Sequence, residues 1–99
     1  MKKVFGMIGL AKRAGKVSTG AFICGKMIKS GRAKLVILAR DASPNTKKDI
    51  SDSCAYYKIK LIELSDMSSL GHITGGGDRA VVSVNDNNFA KAILDNITE

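Results

Sequence analysis

The chain has 99 residues, of which 44% are hydrophobic and one is proline; this composition indicates one globular domain, residues 1–99, and excludes a disordered chain. The net charge of +7 lies in the first 40 residues, which hold ten Lys or Arg and no Asp or Glu, whereas residues 41–99 hold six basic and nine acidic residues. A charge so polarised suits a polyanion such as nucleic acid, with a solvated basic surface as the alternative.

The cysteines and the hydropathy argue against a metal centre and a membrane protein. Cys24 and Cys54 are separated by 30 positions, no CxxC pair occurs and the chain has one histidine, so no zinc site is expected from this chain alone. Both cysteines lie on apolar stripes, as buried free thiols do in a reducing cytoplasm. No segment reaches the roughly 20 apolar residues that a membrane span needs, and the short apolar run before Lys12 and Arg13 lacks a cleavage site. We expect a cytoplasmic protein without metal or other cofactor.

The chain begins with a pattern of helix, short strand and helix. A helix is predicted over residues 2–14 because apolar residues recur there at helical spacing, and Gly15 fits the position after its last turn. Residues 16–18 fit a short strand that leads into the second helix. The residues of the first helix expected to face the core are Val4, Met7, Ile8, Ala11 and Ala14.

The stretch from Gly20 to Asp41 reads as a basic helix, a glycine stop near residues 30–31 and a buried strand. Ser18 or Thr19 can cap this helix, and the uninterrupted apolar run of residues 34–39 predicts a strand covered on both faces. One side of the helix holds Cys24, Met27, Ile28 and Gly31. The opposite side holds Phe22, Gly25, Lys26 and Lys29, and core packing does not explain an aromatic ring there.

Helices alternate with strands through the second half. Ser43 and Pro44 fit the N-cap and first position of a helix that runs to about residue 57. Strands are predicted over residues 58–64 and 80–84, with a short helical turn from Ser65 and a glycine-rich loop over residues 70–79 between them. Asn85 or Asp86 can cap a final helix. The core-facing residues of the two helices are Ile50, Cys54 and Tyr57, then Phe89, Ala92, Ile93 and Ile97. This alternation predicts a three-layer α/β/α sandwich with a small mixed central sheet of about four strands and about five helices.

Catalytic chemistry finds little support in the sequence. His72 is the only histidine and has no acidic neighbour within three residues. No paired-carboxylate motif and no GxSxG nucleophile motif occurs. Gly75 to Gly77 lack the spacing of a phosphate-binding loop and precede a strand instead of following one. We therefore expect a protein that is not an enzyme.

The basic second helix is the strongest functional feature. Its N-terminus offers free amides and the positive end of the helix dipole, both of which attract phosphate. Phe22 can stack on an unpaired base, a contact worth about 1–3 kcal/mol; packing under the glycine-rich loop or in a protein interface is the alternative for this ring. Arg32 and Arg40 flank the following strand, where we expect them to reach the same ligand. The glycine-rich loop beside Arg79 can press against a sugar-phosphate backbone, or be a simple long turn.

Several separated motifs together resemble a known superfamily, that of archaeal ribosomal protein L7Ae and other kink-turn RNA-binding proteins. Leu70-Gly71-x-x-x-Gly75 is similar to its second signature, and GLAKRAGK, ARDASPNTKK and NNFAKAIL are similar to its bacterial branch called YlxQ. The resemblance covers most of residues 16–84. The residues that keep the order and spacing of the first signature are Gly20, Lys26, Gly31, Ala33 to Val36, Ala39, Asp41 and Pro44.

The resemblance implies an α/β/α sandwich whose second helix enters the major groove of a kinked RNA at tandem sheared G·A pairs, while the glycine-rich loop covers a flipped-out nucleotide. Kink-turn binders carry Asn-Glu where this chain has Phe22 and Ile23, whose side chains cannot hydrogen-bond a base edge. Electrostatic RNA binding needs only the basic residues. We expect a monomer that binds a ribosomal or kink-turn-like RNA, and a protein-interaction module on the same scaffold is the alternative. The residues expected to contact RNA are Lys16, Thr19, Gly20, Phe22, Lys26, Lys29, Arg32, Lys34, Arg40, Gly71, His72, Ile73, Thr74, Gly75 and Arg79.

Overall fold

A computed structural model describes residues 2–97, and within that range five helices and four strands follow one another in the predicted order. The elements are α1 (Lys2–Arg13), β1 (Val17–Thr19), α2 (Ala21–Lys29), β2 (Leu35–Leu38), α3 (Pro44–Tyr57), β3 (Lys60–Glu63), α4 (Met67–Ile73), β4 (Val81–Val84) and α5 (Asn87–Asp95).

The four strands form one mixed sheet in the order β1-β4-β2-β3, in which β4 is antiparallel to the other three. Leu38 is therefore level with Val81 and Glu63, and Thr19 with Val82. We call the end of the sheet where β1, β2 and β3 finish the upper end, and the opposite end the lower end. Because α2, α3 and α4 each follow one of these strands, their N-termini gather at the upper end, where open α/β sheets bind ligands.

Helices cover both faces of the sheet. α2 and α3 pack together on one face, while α1 packs against α4 and α5 on the other, and β4 contacts both α2 and α5. Every residue of β2 and β4 is buried, as expected for strands covered on both sides. The predicted three-layer sandwich is confirmed.

Two predicted helix starts are also confirmed by their hydrogen bonds. The Ser43 hydroxyl accepts from the Thr46 amide at 3.2 Å, with Pro44 in the first turn of α3. The Asp86 carboxylate accepts from the Phe89 amide at 2.9 Å at the start of α5. Side-chain caps of this kind satisfy amides that the helix itself leaves open.

Several local predictions are wrong for identifiable reasons. Ala14 is exposed because α1 ends one residue earlier and the chain turns there. β3 starts at Lys60, not at residue 58, because Lys58 adopts a left-handed conformation (φ 59°) that ends α3. Tyr57, in the last turn of α3, is 42% exposed. On α5, Ala90 is buried and Ala92 only half-buried.

The start of α2 also differs from the prediction. Ser18 and Thr19 belong to β1, where they pair with Ser83 and Val82, so neither caps the helix. Gly20 is the N-cap, and no side chain satisfies the first turn of α2. Its φ of 92° is one that residues with a Cβ rarely adopt, which explains why glycine stands between the strand and the helix.

The largest departure concerns the glycine-rich segment. Leu70 to Ile73, predicted as the start of a loop, form the second half of α4, so the loop between α4 and β4 is limited to residues 74–80. Gly71 is buried in this helix against the carbonyl group of Gly77, and a Cβ at position 71 would overlap that group. The glycine therefore serves close packing of the loop onto α4.

Three further observations concern the cysteines, the helices and the metal-ligating residue types. Cys24 and Cys54 are both buried and free, as predicted. Within residues 2–97, no helix has the length and apolar character to cross a bilayer, and no group of His, Cys, Asp and Glu is placed to hold a metal ion.

Candidate nucleic-acid interface

The N-terminus of α2 lies at the upper end and has no side-chain cap. The Gly20 amide donates to the Val81 carbonyl at 3.0 Å, which fixes the helix start against β4. The next three amides, of Ala21, Phe22 and Ile23, have no acceptor among residues 2–97. Free amides at the positive end of a helix dipole are suited to bind phosphate or carboxylate oxygens.

Phe22 lies on the solvent-exposed side of this same helix, as the sequence predicts. Its side chain is 73% exposed, and the ammonium nitrogen of Lys26 stands 4.9 Å from the ring centroid. The ring is thus not packed under the glycine-rich loop. Between α2 and α3 it borders a groove of about 230 Å³ that Gly25 and Lys29 also line. An exposed ring beside a cation offers a stacking surface to a base.

The loop after β2 contributes a second cation to the upper end. Arg40 is exposed, and its amide donates to the Ser65 carbonyl at 2.9 Å. The adjacent Asp41 carboxylate accepts from the Met67 amide at 2.8 Å, at the first residue of α4. Asp66 accepts from the Ser69 amide at 2.7 Å, and this hydrogen bond lowers the pKa of the Asp66 carboxyl. Both carboxylates cap the N-terminus of α4. The positive end of the helix dipole there offsets part of the negative charge that they place near Arg40.

The glycine-rich loop returns along α4 and ends at the upper end. The Gly76 amide donates to the Gly71 carbonyl at 2.9 Å, and the Arg79 amide donates to the Met67 carbonyl at 3.0 Å. At the end of the loop, the Ala80 carbonyl accepts from the Ala39 amide at 2.8 Å, beside the loop that carries Arg40. The Arg79 guanidinium lies over Gly76, where a Cβ would stand 2.6 Å from it. This path brings Arg79 to the same end of the sheet as Gly20.

The predicted contact residues of this segment differ in how far they are exposed. Gly71 and Thr74 are buried, and the Thr74 hydroxyl donates to the Leu70 carbonyl at 2.8 Å. Ile73 is half-buried against α1. Gly71 and the Thr74 hydroxyl thus hold the segment in place, while Ile73 and Thr74 still line the pocket beside Gly75. His72 and Gly75 are exposed.

α1 adds two cations that our site prediction omitted. Lys12 and Arg13 lie in the last turn of α1 and, with Gly75, line a pocket of about 340 Å³. The sequence shows that the outer side of this helix is basic, but it gives no sign that this side meets the glycine-rich loop. That adjacency depends on how α1 packs against α4.

Three predicted contact residues lie at the lower end instead. Lys16 precedes β1, Arg32 follows α2 and Lys34 precedes β2, and together they line a pocket of about 440 Å³. Arg32 and Arg40 flank opposite ends of β2, whose four residues span about 13 Å. Both arginines can therefore reach the same RNA, as predicted, only if that RNA extends along the length of β2. The basic residues predicted to contact RNA thus lie at both ends of the sheet.

Comparisons with known proteins agree with the resemblance seen in the sequence. Residues 2–94 match the model of the ribosomal protein L7Ae/L30e/S12e/Gadd45 family. The chain is 42% identical to the RNA-binding protein YlxQ of Bacillus subtilis (strain 168), over 91% of this chain and 90% of that protein. It is 40% identical to the RNA-binding protein YlxQ of Enterococcus faecium, over 91% of this chain and 86% of that protein.

Two solved structures are similar to the whole sandwich. A protein of unknown function from Bacillus halodurans C superposes with a TM-score of 0.93 at 34% identity, over 98% of both chains. The Giardia lamblia 15.5kD RNA binding protein superposes with a TM-score of 0.82 over 94% of this chain and 82% of that chain. At 19% identity, this second likeness shows the fold alone.

Proposed function

This chain belongs to the ribosomal protein L7Ae/L30e/S12e/Gadd45 family, and from that premise we propose that it is a non-enzymatic RNA-binding protein that holds structured RNA at the upper end of its sheet. The observation that carries the proposal is the uncapped N-terminus of α2, with an exposed aromatic ring and a lysine on its first turns. Two similar proteins bear the name RNA-binding protein YlxQ.

Each part of the upper end has a defined task in this proposal. The free amides of α2 donate hydrogen bonds to the oxygens of a backbone phosphate. These bonds and the helix dipole replace the water that the phosphate loses on binding. Lys26, Arg40 and Arg79 neutralise neighbouring phosphates. Phe22 stacks on a base that is not paired within the RNA. The loop of residues 74–80 closes one side of the site.

We further propose that the bound RNA is kink-turn-like or ribosomal. Tight bends and unpaired nucleotides let one small protein surface reach a phosphate and an unstacked base together. Phe22 and Ile23, 73% and 42% exposed, occupy the two positions at which typical kink-turn binders carry Asn-Glu, whose Glu accepts from guanine. Recognition of the bend in this chain would thus rest on backbone shape and stacking, without readout of base edges by these two residues.

We also propose that the protein acts in the cytoplasm as a monomer. The two buried free thiols support a reducing compartment.

A protein-interaction module is the second candidate. Phe22 and Ile23 are exposed next to the α2–α3 groove, and exposed apolar residues beside a groove are common at protein interfaces. The two candidates differ in salt dependence, since phosphate neutralisation makes log affinity fall by about 0.7–0.9 per contacted phosphate for each unit of log salt.

The test is a titration of a kink-turn RNA and a matched plain duplex at two salt concentrations. The proposal predicts binding to both RNAs with a steep salt dependence, and tighter binding to the kink-turn RNA. Absence of binding to either RNA would overturn the RNA-binding proposal and favour the protein-interaction module. Equal affinity for both would remove the kink-turn preference alone.

A further inference from the structure

The lower end of the sheet carries a pocket that the proposed upper site does not use. Its volume of about 440 Å³ is larger than that of the α2–α3 groove. It is lined by Lys16 from the α1–β1 connection and by Arg32 and Lys34 from the α2–β2 connection. Backbone hydrogen bonds fix the main chain of two of these residues. The backbone amide of Asn85 donates to the Lys16 carbonyl at 2.7 Å, and the backbone amide of Lys34 donates to the Val84 carbonyl at 2.8 Å.

The cations of this pocket are not neutralised within the part of the chain that the structure describes. The ion pairs there join Lys47 to Glu63, Lys48 to Asp52 and Lys91 to Asp95. Lys16, Arg32 and Lys34 are all exposed. Asp86, close to the pocket in sequence, is engaged by the Phe89 amide as the cap of α5. Three cations on one concave surface without an acidic partner form a positive field that favours an anion.

The remaining wall of the pocket suits an extended polyanion. Gly15 and Gly31 line it without side chains, so a ligand backbone can approach closely, and the Asn85 amide group and the Ser18 hydroxyl add polar atoms. Lys34 uses one of its three ammonium hydrogens on the Gly31 carbonyl at 2.9 Å, which leaves two for a ligand. Phosphodiester oxygens fit these donors, because a lysine and an arginine can each contact a different oxygen of one strand.

We propose that this lower-end pocket binds the sugar-phosphate backbone of a second RNA segment, so that one protein molecule bridges two RNA segments. The inference rests on the proposed RNA-binding function and adds a second site to it. Upper and lower sites lie at opposite ends of a molecule 29 × 26 × 25 Å in extent. That separation keeps two RNA backbones apart, which lowers their mutual repulsion when both are bound.

The test uses a short RNA duplex in two versions, one with a donor and one with an acceptor fluorophore. Energy transfer arises when one protein holds two duplexes. The lower-end variant is Lys16→Ala/Arg32→Ala/Lys34→Ala, and the upper-end variant is Lys26→Ala/Arg40→Ala. A charge-matched control for the lower-end variant is Lys3→Ala/Lys48→Ala/Lys91→Ala, which removes three exposed cations that do not line the lower-end pocket. Circular dichroism verifies that each variant is folded.

The proposal predicts energy transfer and two bound duplexes for the wild-type protein and the control. The lower-end variant is expected to bind one duplex and to give an energy-transfer signal at least tenfold lower than that of the wild-type protein. The slope of its log affinity against log salt concentration should be smaller in magnitude by about 2. One-to-one binding by the wild-type protein, or unchanged energy transfer in the lower-end variant, would overturn the bridging proposal while leaving RNA binding intact. Failure of the wild-type protein to bind any RNA would instead overturn the proposed function and this inference with it.

Discussion

The ammonium nitrogen of Lys26 lies 4.9 Å from the ring centroid of Phe22, one helical turn away on the exposed side of α2. Residues at this spacing are neighbours on a helix surface, and a cation over an aromatic face is weakly attractive when exposed. The pair presents a flat apolar surface and a positive charge to the same partner. The two side chains should therefore make separable contributions to RNA binding.

Substituting Phe22→Ala is expected to weaken binding of RNAs that offer an unpaired base by about 1–3 kcal/mol, the value of one lost stacking contact. Binding of a plain duplex should change little. Because the ring is 73% exposed, the free energy of unfolding should stay within about 0.5 kcal/mol of wild type. Fluorescence titration with the two RNAs and urea unfolding measure these effects. A large loss of stability would show that the ring is part of the core.

Substituting Lys26→Ala should act on every RNA, because it removes a charge and not a base contact. We expect weaker binding of both the kink-turn RNA and the duplex, with a salt slope lower by about 0.7–0.9 if Lys26 contacts one phosphate. Lys48→Ala removes the same charge from an exposed site on α3 and is the control. An equal loss of affinity in both variants would mean that net charge alone, and not position, controls binding.

The sequence predicts the fold well because its signals are local. The apolar run around β2 and the caps at Ser43 and Asp86 each determine their element from adjacent residues, and the structure contains all three. The number and alternation of elements follow from such signals.

The candidate site is less predictable because it depends on tertiary packing. A glycine in a helix is disfavoured by propensity, so Gly71 reads as loop until its contact with Gly77 is seen. Arg32 and Arg40 are close in sequence, but the intervening strand places them at opposite ends of the sheet. Their closeness in sequence therefore suggested a proximity in space that the fold does not give them.

The close contact between Gly71 and the carbonyl group of Gly77 predicts a strong effect of Gly71→Ala. The added methyl group has no room between α4 and the loop, and overpacking of this kind costs about 1–3 kcal/mol. Urea unfolding should show this loss. Because the loop must move away from α4, we also expect weaker RNA binding under conditions in which the variant is still folded.

Gly25→Ala is the matched control for Gly71→Ala, since both glycines lie in helices. A Cβ at position 25 has no atom within 4 Å, so alanine should stabilise the protein by about 0.5–1 kcal/mol through its higher helix propensity. If both variants changed the free energy of unfolding in the same direction, close packing of Gly71 would not explain the effect of Gly71→Ala.

The hydrogen bond from the Met67 amide to the Asp41 carboxylate predicts that Asp41→Ala loosens the upper end. Loss of a charged acceptor at a helix start costs about 0.5–2 kcal/mol, and hydrogen exchange in the first turn of α4 should accelerate. Asp49→Ala removes an exposed carboxylate from α3 that makes no such bond and should leave α4 unchanged. Equal exchange rates in the two variants would contradict the capping role of Asp41.

Burial of Cys24 predicts a loss of stability at alkaline pH. The side chain is fully buried, and desolvation raises the pKa of its thiol from 9.0 to about 11. Above pH 9 the unfolded chain releases the thiol proton while the folded protein retains it, so rising pH favours unfolding between pH 9 and pH 11. The effect amounts to about 2–3 kcal/mol at most.

Urea unfolding of the wild-type protein and of Cys24→Ala across this pH range measures the effect of that burial. The variant loses packing at every pH, and what distinguishes the thiol is the slope of stability against pH, which should become shallower. Burial also raises the pKa of Cys54, so part of the slope should remain in Cys24→Ala and disappear in Cys24→Ala/Cys54→Ala. A slope unchanged by the first substitution would show that the Cys24 thiol ionises as readily in the folded protein as in the unfolded chain.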